Sequence, residues 1–371
     1  MYLKRLILTD FKNIRCADVT FSSKVNCFLG RNGAGKTNLL DAVHYLSMTR
    51  SYFGQSDQYA IRFDAPYFSL SGSYLFDDAP GEQIVCVTEA SGTKSIKRND
   101  KSYERFSEHI GLLPLVMISP LDTLLIHSAA EERRRFLNVL LSQIDVTYLS
   151  LLQQYNKILS QRNHYLKQKA FTAQMTETFD IQLSSRAALI YEKRAALCCL
   201  LGPQAERYYS ILSGQKEEVS LSYCSDLEHY PLEIKLRDSF DRDQMLGFTS
   251  FGIHRDEVAL MLNGKPVRKF GSQGQQKTFL LALKLAQFEV MKLRCGLAPI
   301  LLLDDLFDRL DANRVYRLMQ LVTQDHFGQV FITDCNKAGI EESLCAFSPE
   351  YLLFDVENGE IKEKKRGSYE A

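Results

Sequence analysis

Apolar and polar positions change rhythm twice along the 371-residue chain. Residues 1–30 read as strands, "YLKRLIL" and then "VNCFLG". A helix is expected over 38–48, where Leu39, Leu40, Val43 and Leu46 share one face. Residues 67–103 read as antiparallel strands, "YFSLSGSYLF", "EQIVCVTE" and "TKSIKRN", with Ser-Gly and Asn-Asp turns between or after them. In the middle the period lengthens. Leu137, Leu141, Ile144, Tyr148, Leu151, Tyr155 and Ile158 recur by four and three, which predicts one unbroken heptad seam. Leu183, Ala187, Ile190, Leu197 and Leu201 continue on a similar register, with Arg194 as the one polar intruder and Gly202-Pro203 as an interruption. Two long helices joined over about 164–178 predict an antiparallel hairpin. The first would reach roughly 50 Å if it ran from 131 to 163, at about 1.5 Å per residue. An ordinary helical subdomain would carry the same pattern. Beyond about 245 the α/β texture returns, with a glycine-rich loop, a helix over 273–294, the strand "PILLLDD", a helix over about 311–325 and the strand "QVFIT". The tail "EKKRGSYEA" reads as frayed.

This succession predicts an α/β head domain that the chain leaves and re-enters. Residues 1–120 form its N-terminal part, 121–244 an inserted helical arm, and 245–371 its C-terminal part. At 45% hydrophobic composition the chain can bury a large core. Its start, "MYLKRLILTDFKN", has too short an apolar run for a signal peptide, and runs such as "APILLL" fall far short of a membrane span. A cytoplasmic protein with no membrane partner is the expectation. The nine cysteines are scattered without a Cys-x-x-Cys pair and the seven histidines lack metal spacing, so buried free thiols are expected rather than disulfides or zinc. A formal net charge of zero argues against a generic polyanion binder. Local basic groups remain, at Lys94, Lys97, Arg98 and Lys101 and at Arg133, Arg134 and Arg135.

Three motifs carry chemistry. "GRNGAGKT", Gly30-Arg31-Asn32-Gly33-Ala34-Gly35-Lys36-Thr37, follows an apolar strand and opens an amphipathic helix, the context a phosphate loop requires. Its backbone N–H groups would cradle phosphates, Lys36 would neutralise β/γ oxygens, and the Thr37 hydroxyl would serve Mg²⁺. "PILLLDD" ends a buried strand in two carboxylates. Asp304 would hold Mg²⁺ directly or through water, and Asp305 would orient or deprotonate the attacking water. The third motif is "KFGSQGQQKTFLLALKLAQ", residues 269–287. Ser272 and Gln275 make a capping box, and Gly271 and Gly274 let the backbone approach an anion at a helix N-terminus. "TDCNKAG", 333–339, resembles a guanine-reading segment but has Gly339 where that motif has Asp, which leaves ATP as the expected nucleotide.

A phosphate loop far upstream of a Ser-x-Gly-Gln helix that closely precedes the acidic strand resembles the ABC ATPases. In that superfamily the signature helix caps the γ-phosphate bound by the opposite subunit. The resemblance implies an ABC-type P-loop ATPase head, an ATP-dependent head-to-tail homodimer and a composite role for Ser272, Gly274 and Gln275. "RLD" at 309–311 then matches the loop that crosses the same interface. Together, "LKRLILTDFKNI", "YLSMTRSYF", "SPLDTLLIHSAAEERRRFLNVLL", "FGIHRDE" and "FGSQGQQKTFLLALKLA" resemble the RecF family along nearly the whole chain. These are bacterial recombination mediators related to the chromosome-maintenance ATPases, with a short arm. That resemblance implies a weak DNA-dependent ATPase that dimerises with ATP on DNA. It implies action at gaps with RecR and RecO, recombinase (RecA) loading and the SOS response. It also places Lys12 and Asn13 near the nucleotide. The chain departs from the family at Asp308-Arg309, where Ser-Glu is usual, and at His127-Ser128, where a Lys-Gly pair is usual. The absence of Trp favours contacts with the DNA backbone over base reading, with Arg133–Arg135 as candidates. The competing readings are the ATPase subunit of a transporter, a small-molecule kinase with a helical lid, and a clamp that rarely hydrolyses ATP.

Overall fold

The computed structural model describes residues 1–54, 56–77, 79–168, 172–214, 217–306, 311–335, 344, 346–347 and 350–368. Two compact units emerge. The first comprises Met1–Asp122, Ile211–Ser213 and Gln287–Ala371, and the second Thr123–Ser210 and Gly214–Ala286.

The first unit opens with β1 (Tyr2–Phe11) and β2 (Ile14–Thr20), then β3 (Val25–Leu29), α1 (Lys36–Met48), β4 (Tyr67–Leu75), β5 (Glu82–Glu89), β6 (Lys94–Arg98), β7 (Lys101–Ser102) and β8 (Leu115–Ile118). An antiparallel sheet in the order β2-β1-β4-β5-β6-β7 forms its outer layer. Leu3, Leu6 and Leu8 all point inward although Leu3 and Leu6 are out of phase, because a bulge between Leu3 and Arg5 absorbs one residue. β2 is not among the strands expected from the sequence. Its buried positions Ile14, Ala17 and Val19 sit among exposed polar residues, and the turn before it holds Lys12 at φ 50.

The second unit contains α2 (Leu124–His127), α3 (Ala130–Ile144), α4 (Tyr148–Lys167), α5 (Ala173–Ser213), β9 (Val219–Cys224), α6 (Leu232–Asp238), α7 (Phe240–Leu246), β10 (Glu257–Leu262), β11 (Lys265–Pro266) and α8 (Val267–Phe270). It also holds the start of α9 (Gln273–Cys295). It therefore runs past the expected boundary at 244/245 to Ala286. The reason is the antiparallel β9–β10 ladder, which joins segments from both sides of that boundary.

The heptad seam is not one helix. Asp145 Oδ1 accepts from the Thr147 backbone N–H at 2.9 Å and from its hydroxyl at 2.7 Å, an Asx turn that ends α3 and lets α4 restart. Leu137, Leu141, Tyr148, Tyr155 and Ile158 stay buried. Conversely, α5 runs through Gly202-Pro203, where an interruption was expected. A proline inside a helix removes one ladder bond, and a preceding glycine has no Cβ to meet its ring. Arg194, the polar intruder in the pattern, is buried and satisfied. It donates to the Ile253 carbonyl at 2.7 Å, to Asn138 Oδ1 at 2.9 Å and to the Tyr148 and Tyr223 hydroxyls at 3.1 Å each. Nearby, buried Arg162 spans Asp180 at 2.7 Å and Asp243 at 2.8 Å.

Returning to the first unit, the chain forms β12 (Ile300–Asp304), α10 (Ala312–Val322), β13 (Val330–Asp334), β14 (Glu350–Glu357) and β15 (Glu360–Ser368). The second sheet has the order β15-β14-β3-β13-β12-β8. Apart from the antiparallel β14–β15 hairpin it is parallel. β3, β12 and β13 are buried at every position, as central strands covered on both faces must be. The tail expected to fray instead pairs as β15 through Ser368, after an Asn358-Gly359 turn with both residues at positive φ. Between the layers lies a core rich in aromatic and aliphatic residues, including Phe11, Phe28, Tyr45, Phe68, Phe331 and Phe354. Buried Gln329 ties the edges together. It accepts from the Leu3 N–H and donates to the carbonyls of Leu3 and Ser22, each at 2.8 Å.

Candidate functional site

Parallel pairing aligns the carboxyl ends of β3, β13 and β12, with Leu29 opposite Asp334 and Thr333 opposite Asp304. Ligands bind in the crevice outside such strand ends. Residues 30–35 turn there before α1. A Cβ on Gly30 would lie 2.2 Å from the Val356 carbonyl oxygen, so only glycine fits. Gly35 has φ 118 and backs onto Asn13, which a Cβ would approach to 3.0 Å. The Lys36 ammonium, on a nearly buried side chain, donates to the carbonyls of Gly30 at 2.7 Å and Arg31 at 3.0 Å. It is thus folded over the loop its charge would serve.

Asn13 lies against this loop, and Lys12 lies beside α1. Asn13 Oδ1 accepts from Asn38 Nδ2 at 2.7 Å, and Asn13 Nδ2 reaches the Gly33 carbonyl at 3.4 Å. Lys12 pairs with Asp41 at 2.7 Å. The fully buried Asp41 also accepts from the Ser51 hydroxyl and the Tyr52 N–H, each at 2.7 Å. Lys12 therefore braces α1 rather than presenting an unpaired charge. The β14–β15 turn buttresses the loop from outside, with the Gly359 N–H donating to the Ala34 carbonyl at 2.8 Å.

Asp304 Oδ1 accepts from the hydroxyls of Thr37 and Thr333, both at 2.8 Å. Burial raises the Asp304 carboxyl above the usual range against the pull of those two bonds, and the neighbouring Asp305 charge adds to the rise. Asp305 itself sits at φ 48, its N–H held by Thr333. Its Oδ1 is buried and has no hydrogen-bond partner among the described residues. A buried acceptor without a donor is costly, and a water or ion beside it removes the cost. This donor set of one hydroxyl and two carboxylates, hard oxygens in a concave end, suits Mg²⁺.

The glycine-rich helix start forms the capping box predicted from sequence. The Ser272 N–H donates to Gln275 Oε1 at 2.7 Å and the Gln275 N–H to Ser272 Oγ at 3.3 Å. Gln275 Nε2 donates in turn to Glu217 Oε1 at 2.6 Å.

The basic run behaves differently from a patch. Arg133 makes a two-point pair with Glu257, 2.7 Å at each contact, and donates to the carbonyls of Leu125 and Ser128 at 3.0 Å. Arg134 donates to the Asp256 carbonyl at 2.6 Å. Only Arg135 of the three is exposed, with Glu132 at 3.9 Å. In "FGIHRDE", His254 is an internal strut. Its Nδ1 accepts from the Tyr155 hydroxyl at 2.8 Å and its Nε2–H donates to the Thr249 carbonyl at 3.0 Å, and burial pushes its pKa down to about 4. Asp308-Arg309-Leu310 and residues 336–339 lie outside the described residues, while Asp311 caps α10 by accepting from the Arg314 N–H. Among the described residues no helix is long and apolar enough to cross a membrane. Sequence reasoning missed Asn38, Asp41, Thr333 and Glu217. The only signal for any of them is the Ser-x-x-Gln box, which shows that Gln275 needs a fixed orientation.

Comparison with known proteins places the chain in a family. The model of the RecF/RecN/SMC N-terminal domain matches residues 2–351. A protein of Parabacteroides distasonis named DNA replication and repair protein RecF is 47% identical over 362 residues, which cover 98% of this chain and 99% of that one. A solved structure of the recombination mediator protein RecF with ATP, from the RecFOR pathway, is 30% identical with a TM-score of 0.88, covering 98% of each chain. An SMC head bound to the winged-helix domain of ScpA is 14% identical at a TM-score of 0.59, covering 100% of this chain and 98% of that one, and shows the shared ABC-type head fold. These repair relatives do not favour a transporter subunit, and the chain belongs to the RecF family.

Proposed function

We propose that the chain is an ATP-dependent DNA-binding protein of recombinational repair and replication, in which ATP joins two copies head to tail on DNA at gaps. The observation that carries this reading is the meeting of Thr37 and Asp304 at 2.8 Å beside the unpartnered Asp305 Oδ1, directly under a glycine cradle. In this reading the loop N–H groups of residues 31–37 bind the phosphates, and Lys36 leaves its two carbonyls to neutralise the β/γ oxygens. Thr37 and Asp304 would hold Mg²⁺, which supplies charge neutralisation between the phosphates. Asp305 orients a water through its unpartnered oxygen and accepts its proton. Ser272, Gly274 and Gln275 of one copy close over the γ-phosphate held by the other, so the nucleotide is itself part of the dimer contact and hydrolysis dissolves it.

Weak DNA-stimulated hydrolysis follows, because the full site exists only in the dimer that DNA gathers. Recombinase loading with RecO and RecR, and a part in the SOS response, complete the proposed role of such a clamp, in keeping with relatives named for DNA replication and repair and for recombination mediation in the RecFOR pathway. Sedimentation with and without ATP and DNA tests it. Dimers should form with ATP and shift further with gapped DNA, and Asp305→Asn dimers should persist on DNA. A chain that stays monomeric with ATP and DNA at micromolar concentration would refute the proposal.

A further inference from the structure

One carboxylate near the helix start has no part in the roles above. Glu217 stands just before β9, and its neighbour Glu218 is locked to β10, with the Glu218 N–H on Asn263 Oδ1 at 2.9 Å and the Asn263 N–H on the Glu218 carbonyl at 2.7 Å. Its two oxygens face different elements. Oε2 accepts from the hydroxyl of Tyr209, a fully buried residue near the end of α5, and Oε1 accepts from Gln275 Nε2, each at 2.6 Å. The Tyr209 ring also packs edge-on against Phe279 of α9, 6.2 Å between centroids.

An amide side chain has a donor end and an acceptor end, and rotating it by half a turn exchanges them. A carboxylate only accepts. Glu217 therefore admits Gln275 in one orientation, with Nε2 toward itself and Oε1 toward the Ser272 N–H. In the reverse orientation Nε2 would face that N–H, donor against donor. With Gln275 Oε1 holding the Ser272 N–H, Ser272 stays where its Oγ accepts from the Gln275 backbone N–H, which occupies an acceptor site on that oxygen. The Ser272 O–H is left to donate outward. A hydroxyl that donates is what a phosphate oxygen requires, and one turned to accept would repel it.

We propose that Glu217 is the positioning residue of the signature helix, setting the donor direction of Ser272 and linking it through Tyr209 to the long arm helix α5. This rests on the composite-site reading and adds a residue to it. Glu217→Ala removes the acceptor and should weaken ATP-dependent self-association roughly ten- to a hundred-fold, the range for losing a charge-assisted hydrogen bond. Nucleotide affinity of the monomer should stay within about twofold, because the altered group serves only the partner's nucleotide. Glu217→Gln keeps an acceptor oxygen and should recover most of the association. Tyr209→Phe removes one of the two anchors and should fall between.

The assay is sedimentation equilibrium with ATP, paired with titration of a fluorescent ATP analogue and a thermal melt, and with Ser272→Arg run alongside. If Ser272→Arg abolishes association while Glu217→Ala associates normally, the positioning role is wrong and the composite site stands. If Ser272→Arg itself associates normally, the composite-site reading fails and this proposal with it. A Glu217→Gln chain as weak as the alanine variant would also overturn the proposal. If Glu217→Ala does not fold, the ordering of Tyr209→Phe and Glu217→Gln decides.

Discussion

Replacing Arg133 with alanine should destabilise the protein and leave the salt slope of DNA binding unchanged. The side chain is 11% exposed and makes four donations, two to Glu257 and two to backbone carbonyls. Glu257 is 42% exposed, so water replaces much of what that carboxylate loses, and its share is discounted accordingly. The carbonyls of Leu125 and Ser128 each lose a charged donor. A net loss of about 2–4 kcal/mol follows from central values for such bonds. For a unit of this size that lowers the melting temperature by roughly 4–16 °C. A phosphate contact behaves otherwise, since each one contributes about 0.9 to the slope of log K against log salt. Arg135, exposed at 48%, is the member of the run able to make one, so Arg135→Ala should lower the slope by about 0.9 and barely change the melt. Thermal melts paired with DNA affinity from low to physiological salt decide the matter. If Arg133→Ala flattens the slope by about one at an unchanged melting temperature, the argument that its charge is spent inside the fold is refuted.

Other outcomes follow from the same geometry. Lys36→Ala should lower ATP affinity by roughly ten- to a hundred-fold and remove ATP-dependent DNA retention, and unchanged affinity would contradict the phosphate-loop role. Asp304→Asn removes a carboxylate whose pKa burial has raised, so the nucleotide-free protein should gain about 0.5–2 kcal/mol while hydrolysis is lost, checked by a melt and a phosphate-release assay. His254 is held neutral with its pKa near 4, below the ordinary 6.5. Because the unfolded chain binds the proton more readily, stability is complete above about pH 6.5 and falls by about 3 kcal/mol toward pH 4. His254→Gln should flatten that limb of the denaturation curve.

The features legible in the sequence were those in which neighbours along the chain carry the physics. The phosphate loop needs only its glycines, Lys36 and a strand before it. Asp304 stands out because a run of buried apolar residues ends there. Ser272 and Gln275 announce their own reciprocal bonds three residues apart. Features that depend on distant partners were hidden. The Arg133–Arg135 run looks like a basic patch until Glu257, 124 residues away, claims the first of them. Thr333 supports Asp304 and Asp305 from a neighbouring strand, and nothing in "VFIT" signals it. The helix break at Asp145–Thr147 lies within an intact apolar seam, because the Asx turn keeps Tyr148 in phase with Leu141 while ending the backbone ladder. The β14–β15 hairpin is a different miss, since Asn358-Gly359 between two strand-like runs is a strong local signal and the charged tail obscured it.

In the proposed dimer each nucleotide site takes Lys36 from one copy and Ser272 from the other. The direct test mixes Ser272→Arg chains with Lys36→Ala chains and measures DNA-stimulated ATP hydrolysis. A mixed dimer holds one intact site, with Lys36 from the first chain and Ser272 from the second. In its other site the substituted Ser272 position meets a pocket whose ATP affinity Lys36→Ala has already weakened, so little is lost there. Each parent alone should be inactive, and the mixture should recover hydrolysis in proportion to the mixed dimers formed. A mixture as inactive as its folded parents would contradict the shared site, and so would a Ser272→Arg chain that dimerises and hydrolyses ATP by itself.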